Sequence, residues 1–277
     1  MLLGARLSRK QLLRGIGYAT LALGTSLAPG GAAALDPTQE RQIGQQVYSD
    51  MRAKGLILDQ SPYYAVLRSV GQRISRAAGR HWFPLNFIII QGNQANAFSA
   101  PGGDVYVNEG LLRSAENVDE LANVLGHETA HLVLGHVSAK LTQQHHLNVF
   151  SRFAQMFART RGSQNTVGAA NIVAKYGFLN FTRTQEYQAD QEGARLAARA
   201  GYNPWGTVWF FQEVERLYGD SGFEQYVQQH PSTDDRVKRI TTYLQSRPSE
   251  FRRWNRSLTS TNGLPLSSND DRLVLHS

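Results

Sequence analysis

Residues 127–131 read His-Glu-Thr-Ala-His, and no other stretch of the chain narrows its fold as far. Two imidazoles four positions apart lie one above the other on one face of a helix, where they can reach a single ion. The flanking sequence suits that helix. Asp119 and Glu120 fall in its first turns, where the dipole favours negative charge, and Leu121, Val124, Leu125 and Leu132 form an apolar face. The spacing predicts a helix over 115–136. A pentapeptide of this type arises by chance in roughly one chain of such length in a hundred, so the partners of the two histidines have to decide what it means.

Glu128 follows His127 directly and is placed to take a proton from a water held by the same ion. Zinc lowers the pKa of such a water from about 15.7 to about 7. The chain has no cysteine, so any metal chemistry rests on His, Asp and Glu. A third protein ligand is needed, and an H-E-x-x-H-x-x-G-x-x-H site is excluded because Leu134 and Val137 stand where that pattern wants Gly and His. On a continuous helix His136, nine residues after His127, lies about half a turn away from it. The remaining source is a carboxylate from another helix. Glu186 and Asp190, four apart in TRTQEYQADQEG at 182–193, let one carboxylate bind metal while the other holds the far nitrogen of a ligand histidine.

The first 34 residues have the order of an export signal: Arg6, Arg9, Lys10 and Arg14, then the mostly apolar GIGYATLALGTSLA, then Ala32-Ala33-Ala34. SRKQLLR at 8–14 is similar to a twin-arginine motif with Lys10 in place of the second arginine, which leaves the export route open. Without these residues the formal charge falls from +7 to +3. No basic stripe with interleaved aromatics follows, so no nucleic-acid partner is expected. No later run of eighteen apolar residues predicts a membrane span in the mature chain, although peripheral association with a membrane surface stays open. The expected location is the periplasm or the thylakoid lumen.

Along the mature chain, Asp36-Pro37-Thr38-Gln39 reads as a helix start with a capping box, and a second helix is expected from Ser61-Pro62 to about Gly79. The period then changes. PLNFIIIQ at 84–91 predicts a buried strand, and DVYV after the Pro101-Gly102-Gly103 turn predicts a half-exposed one, giving a small antiparallel sheet. Further helices are expected at about 138–160, 168–180, 183–200, 204–218 and 233–246, with a loop at 159–166 and a turn-rich tail from Pro248. The expected class is α+β, mostly helical, with 35–277 as a single domain.

Several motifs in fixed order resemble the HtpX-like and BepA-like zinc endopeptidases of metallopeptidase family 48: NAF, PGG and GLL between 96 and 112, HETAH at 127–131, R-x-x-E-x-x-A-D-x-x-G at 183–193, AGYNP at 200–204 and HPSTDDR at 230–236. The resemblance implies a zincin-like domain whose edge strand faces the active site, with one Zn2+ on His127, His131 and Glu186. It also implies Glu128 as general base, Asp190 supporting a ligand from behind, and His230 near the metal as a further catalytic residue. The strand around Asn96, Ala97 and Phe98 would pair with an extended substrate backbone, and the substrates would be unfolded or misfolded envelope proteins. The chain departs from the family at Gln188, where an acidic residue is frequent, and lacks extra membrane helices, a helical-repeat extension and a lipidation cysteine.

Three further histidines, His136, His145 and His146, are read as solvated or hydrogen-bonded groups without metal, and Arg183 either steadies the site or forms a local ion pair. Two rival functions stand beside the peptidase. A chaperone-like scaffold would keep the fold and the edge strand without cleavage, and a closed structural zinc site would leave Glu128 without a task.

Overall fold

The computed structural model describes residues 36–146, 181–216, 230 and 233–257. The expected leader at 1–34, the loop at 159–166, the helix at 168–180 and most of the one at 138–160 lie outside the described residues. Helix α1 (Pro37–Ala53) begins with the expected capping box: the Asp36 carboxylate accepts from the backbone N–H groups of Thr38 and Gln39, and the Gln39 side chain returns to the Asp36 N–H. Helix α2 (Tyr64–Ala78) buries Leu67, Val70 and Ile74, one face of its amphipathic pattern.

Three strands follow: β1 (Asn86–Ile90), β2 (Ala97–Ser99) and β3 (Asp104–Asn108), in the spatial order β1-β3-β2. The sheet is mixed rather than antiparallel. β2 and β3 form the expected hairpin across Pro101-Gly102-Gly103, where positive φ angles of 84° and 104° call for the two glycines. β1, however, pairs with β3 in parallel. The chain crosses from β1 to the far side of the sheet before the hairpin forms, and no local pattern in β1 specifies that step. β3 is therefore central, and the expectation that DVYV would be half exposed fails. Val105 and Val107 face α2 and the helix of the HETAH segment, while Tyr106 faces α1 and stacks on Phe98 at 5.1 Å between ring centroids. Both faces of β3 are covered by helices, so its apolar alternation marks two cores.

After the short α3 (Glu109–Ser114) comes α4 (Val118–Val133), which carries HETAH and is capped by the Asn117 side chain accepting from Glu120 N–H. It stops sooner than expected, because Gly135 adopts φ 72° and a separate helix α5 (His136–His146) starts there. Helix α6 (Arg183–Arg199) opens with a Thr182/Gln185 capping box and carries Glu186 and Asp190. Helices α7 (Gly206–Arg216), α8 (Thr233–Ser246) and α9 (Pro248–Phe251) enclose a further core around Trp205, Trp209, Ile240, Tyr243 and Trp254.

α4 and α6 touch backbone to backbone. A Cβ on Gly126 would lie 2.8 Å from the Gly193 carbonyl oxygen, and one on Gly193 would lie 2.8 Å from His127 N. Only glycine on both helices permits this crossing, and it sets the histidines of α4 against the carboxylates of α6.

Candidate active site

The two ligand-type imidazoles take opposite supports and present the same nitrogen. His127 Nδ1 lies 3.1 Å from Asp190 Oδ1, so Nδ1–H donates to the carboxylate and the lone pair of Nε2 is left facing the site. His131 Nδ1 lies 3.1 Å from His136 Nδ1, and His136 Nε2 lies 3.2 Å from Gln188 Oε1. A proton on His131 Nδ1 and another on His136 Nε2 satisfy both contacts and again free His131 Nε2. His136 is thus buried and hydrogen-bonded. Its position differs from the half-turn offset of a continuous helix, because the chain turns at Gly135 and α5 brings the ring back against His131. Phe181 stacks on the other side of the His131 ring at 3.7 Å.

Four atoms converge: His127 Nε2, His131 Nε2, a Glu186 carboxylate oxygen and His230 Nδ1. The separations are 3.0 Å between the two Nε2 atoms, 3.5 Å from His127 to Glu186 Oε2, 3.6 Å from His131 to Glu186 Oε1, 3.4 Å from His127 to His230 and 3.2 Å from His230 to Glu186 Oε2, so both oxygens of Glu186 face the histidines. A tetrahedron with ligand bonds of about 2.0–2.1 Å has edges of about 3.3–3.4 Å. The set therefore has the size, the all-His/Glu chemistry and the burial of a four-vertex zinc site, and a cation at its centre would satisfy lone pairs that otherwise face one another. Glu128, also buried, reaches His230 Nε2 with Oε1 at 3.5 Å, while its Oε2 lies 2.6 Å from Ser99 Oγ.

Arg236, fully buried on α8, is the member that sequence reasoning missed. Its guanidinium lies 2.8 Å from Glu186, 2.6 Å from Asp190 and 4.6 Å above the Phe211 ring, and Nη1 reaches the His230 carbonyl at 3.4 Å. It ends the HPSTDDR motif and had no role assigned to it there. Two carboxylates expected together in a protein interior were the available signal, since they need a cation. Burial alone would raise both carboxyls. The charges of His230 and Arg236 instead hold Glu186 well below the ordinary carboxylate range, and Arg236 lowers Asp190. For His127 burial disfavours the charged form, but the hydrogen bonds to Asp190 and Glu186 prevail and push it up to about 9, so a cation would bind here in exchange for a proton on Nε2, whose lone pair it would then take. His131 goes the other way: burial and the nearby His127 hold it well below the usual imidazole value.

The expected substrate strand needs a correction in register. Asn108 N–H donates to the Asn96 carbonyl and Ala100 N–H to the Asp104 carbonyl, so the alternation of an antiparallel pair makes Phe98 and Tyr106 the hydrogen-bonded partners. Asn96 and Phe98 spend their backbone groups on β3, and the Phe98 ring packs towards α1. Ala97 and Ser99 instead point their N–H and C=O away from β3, although both residues are buried. Among the described residues no strand lies beyond β2, whereas β1 is bridged on its outer side by the segment at Ile57. Arg183, at the start of α6, is exposed and joins none of the contacts among these groups.

Relatives bear on this arrangement. The chain is 26% identical over 198 residues to the beta-barrel assembly-enhancing protease of Yersinia pestis, covering 69% of this chain and 40% of the relative. It is 26% identical over 212 residues to the mitochondrial metalloendopeptidase OMA1 of Schizosaccharomyces pombe, covering 74% and 61%. With the Bos taurus metalloendopeptidase OMA1 it shares 31% identity over 170 residues, covering 56% and 32%. The chain thus spans between about a third and three fifths of the length of these relatives. Peptidase family M48 matches residues 64–244, a stretch that takes in the sheet from β1 onward, HETAH, Glu186, Asp190, His230 and Arg236. With the family pattern running through more than half of its length, the chain belongs to peptidase family M48.

Proposed function

We propose that the chain is a zinc-dependent endopeptidase that cleaves extended segments of unfolded or misassembled proteins in the cell envelope. The observation that carries this reading is the buried Glu128 carboxylate beside a four-membered His/Glu donor set, with β2 alongside as the last strand of the sheet among the described residues. His127, His131 and Glu186 would hold the ion, and Asp190 and Arg236 would hold those ligands in place. Zinc bound there would make a water acidic enough to attack near neutral pH and would polarise the scissile carbonyl. Glu128 Oε1, which has no hydrogen-bond partner among the described residues, takes the proton of the attacking water and passes it to the leaving amine. An extended substrate pairs its backbone with Ala97 and Ser99.

His230 occupies the fourth vertex through Nδ1 in this conformation, so it holds the place a water needs. Movement of His230 would open that place and let the same ring donate to the oxygen of the substrate carbonyl as charge develops there. The leader-like start supports export, with the mature chain beginning near Leu35. The Yersinia relative is named for enhancing β-barrel assembly, which supports envelope clients with unpaired strands.

Digestion of an unfolded substrate such as casein, with and without a chelator, tests the reading. Glu128→Gln should keep zinc and fold and lose cleavage, because all three ligands stay and only the proton carrier goes. Hydrolysis by that variant at the parent rate, or parent hydrolysis indifferent to chelator, would overturn the mechanism. Terminal sequencing of the exported protein tests the leader, and retention of Met1 on a membrane-bound form would replace it with a signal anchor.

A further inference from the structure

The side chain that touches Glu128 most closely comes from the strand proposed to hold the substrate. Ser99 Oγ lies 2.6 Å from Glu128 Oε2 and 2.7 Å from the Glu128 backbone carbonyl oxygen, and both residues are buried. A hydroxyl has one proton to donate. The carboxylate is the stronger acceptor, and the distance falls in the range of charge-assisted O–H···O⁻ bonds. Oε1 of the same carboxylate is buried and makes no hydrogen bond among the described residues, with His230 Nε2 at the longer distance of 3.5 Å.

We propose that Ser99 is the positioning residue of the proton carrier: its hydroxyl ties down Oε2 of Glu128, so that Oε1 is the oxygen that receives the proton of water and returns it to the amine. This rests on the reading of Glu128 as proton acceptor. The proton count closes with Ser99 unchanged. Water gives its proton to Oε1, the hydroxide oxygen bonds to the substrate carbonyl carbon, the C–N bond breaks and the Oε1 proton goes to the amine nitrogen. Throughout, Oε2 keeps accepting from Ser99, which fixes the two remaining torsions of a side chain that would otherwise rotate.

The placement also links binding to chemistry. Ser99 is one of the two β2 residues whose backbone points away from β3; it is buried in this conformation, and its side chain points at α4. A substrate strand that reached this edge and paired with the Ser99 N–H and C=O would be held by the same residue that aims Oε1. A one-residue slip of the substrate along β2 would move its scissile bond relative to a carboxylate that cannot follow.

Four full-length proteins test this: the parent, Ser99→Ala, Ser99→Thr and Glu128→Gln, with a Ser99→Ala/Glu128→Gln double variant. Loss of one charge-assisted hydrogen bond predicts that Ser99→Ala lowers kcat by about tenfold to a hundredfold, with KM within about twofold and zinc content unchanged. Ser99→Thr, which keeps the hydroxyl, should recover most of the rate. In the Glu128→Gln background Ser99→Ala should lower the residual rate no further, because the hydroxyl acts through that carboxylate. An unchanged kcat in Ser99→Ala, equal losses in the Ala and Thr variants, a further drop in the double variant, or lost zinc would each overturn the assignment. If Glu128→Gln itself cleaves normally, the proposed mechanism fails instead, so the two failures are distinguishable.

Discussion

Alanine is a better helix former than glycine by about 1 kcal/mol, so Gly193→Ala in the middle of α6 should stabilise the protein if nothing stood in the way. The structure predicts the opposite sign. The new Cβ would sit 2.8 Å from His127 N, 3.0 Å from His127 Cα and 3.1 Å from Gly126 C, all of them backbone atoms that cannot rotate aside. Restoring a van der Waals separation of about 3.5 Å means moving α6 away from α4 by about 0.7 Å, and overpacking of this kind costs roughly 1–3 kcal/mol. The site magnifies the effect. Asp190 lies one turn before Gly193, and its 3.1 Å contact with His127 Nδ1 would stretch beyond the roughly 3.2 Å limit of a hydrogen bond. Metal–ligand distances tolerate only about 0.2 Å. Urea unfolding in chelator should show Gly193→Ala less stable than the parent, and zinc competition should show a weaker site. A variant that is more stable, with undiminished zinc affinity, would refute the crossing as what sets the site's geometry.

Other outcomes follow from single contacts. Asp190→Ala removes the acceptor behind His127 and should weaken zinc by about tenfold to a hundredfold, read by competition with a chromogenic chelator. Ala97→Pro deletes an outward N–H of β2 without touching a bond to β3, so KM for an unfolded substrate should rise while zinc content holds; an unchanged KM would argue against pairing along this edge. Glu120 gives a pH test. Burial pushes its carboxyl up to about 7, above the ordinary value of about 4.3, so the folded state holds the proton longer than the unfolded one. Stability should therefore fall as pH rises through that window, by up to about 4 kcal/mol at 1.36 kcal/mol per unit. Glu120→Gln, which cannot ionise, should flatten the fall between pH 5 and 8 in denaturant titrations, and a parallel decline in both proteins would show the carboxyl ionises normally.

The local elements were legible because their signals lie within a turn or two of chain. The capping box at Asp36 fixes where α1 begins, and the apolar period of α2 and α4 fixes which face is buried; the Thr182 box and the Asn117 cap are as local but were not read, so α4 was expected to start near 115 and begins at Val118. The spacing of His127 and His131 on a helix, and of Glu186 and Asp190 on another, required nothing from elsewhere. The early end of α4 was harder to read, since Leu-Gly-His at 134–136 breaks the helix through one residue's positive φ and not through the apolar pattern.

What the sequence determined by itself is the chemistry on offer: two histidines and a carboxylate on one helix face, two carboxylates on another, and no thiol. What only the tertiary structure decided is every relation between segments distant in the chain. The parallel placement of β1 on β3, the burial of DVYV on both faces and the choice of Ala97 and Ser99 over Asn96 and Phe98 as the outward backbone depend on which strand lies beside which. A period of two states that faces alternate, and is silent on what covers each face. Arg236 could be recognised only once Glu186 and Asp190 were seen to share an interior, where two negative charges far from water require a buried cation. The glycines of the α4/α6 crossing look like defects in two helices until the helices are set in contact, because the reason for a missing Cβ is the backbone of the other helix.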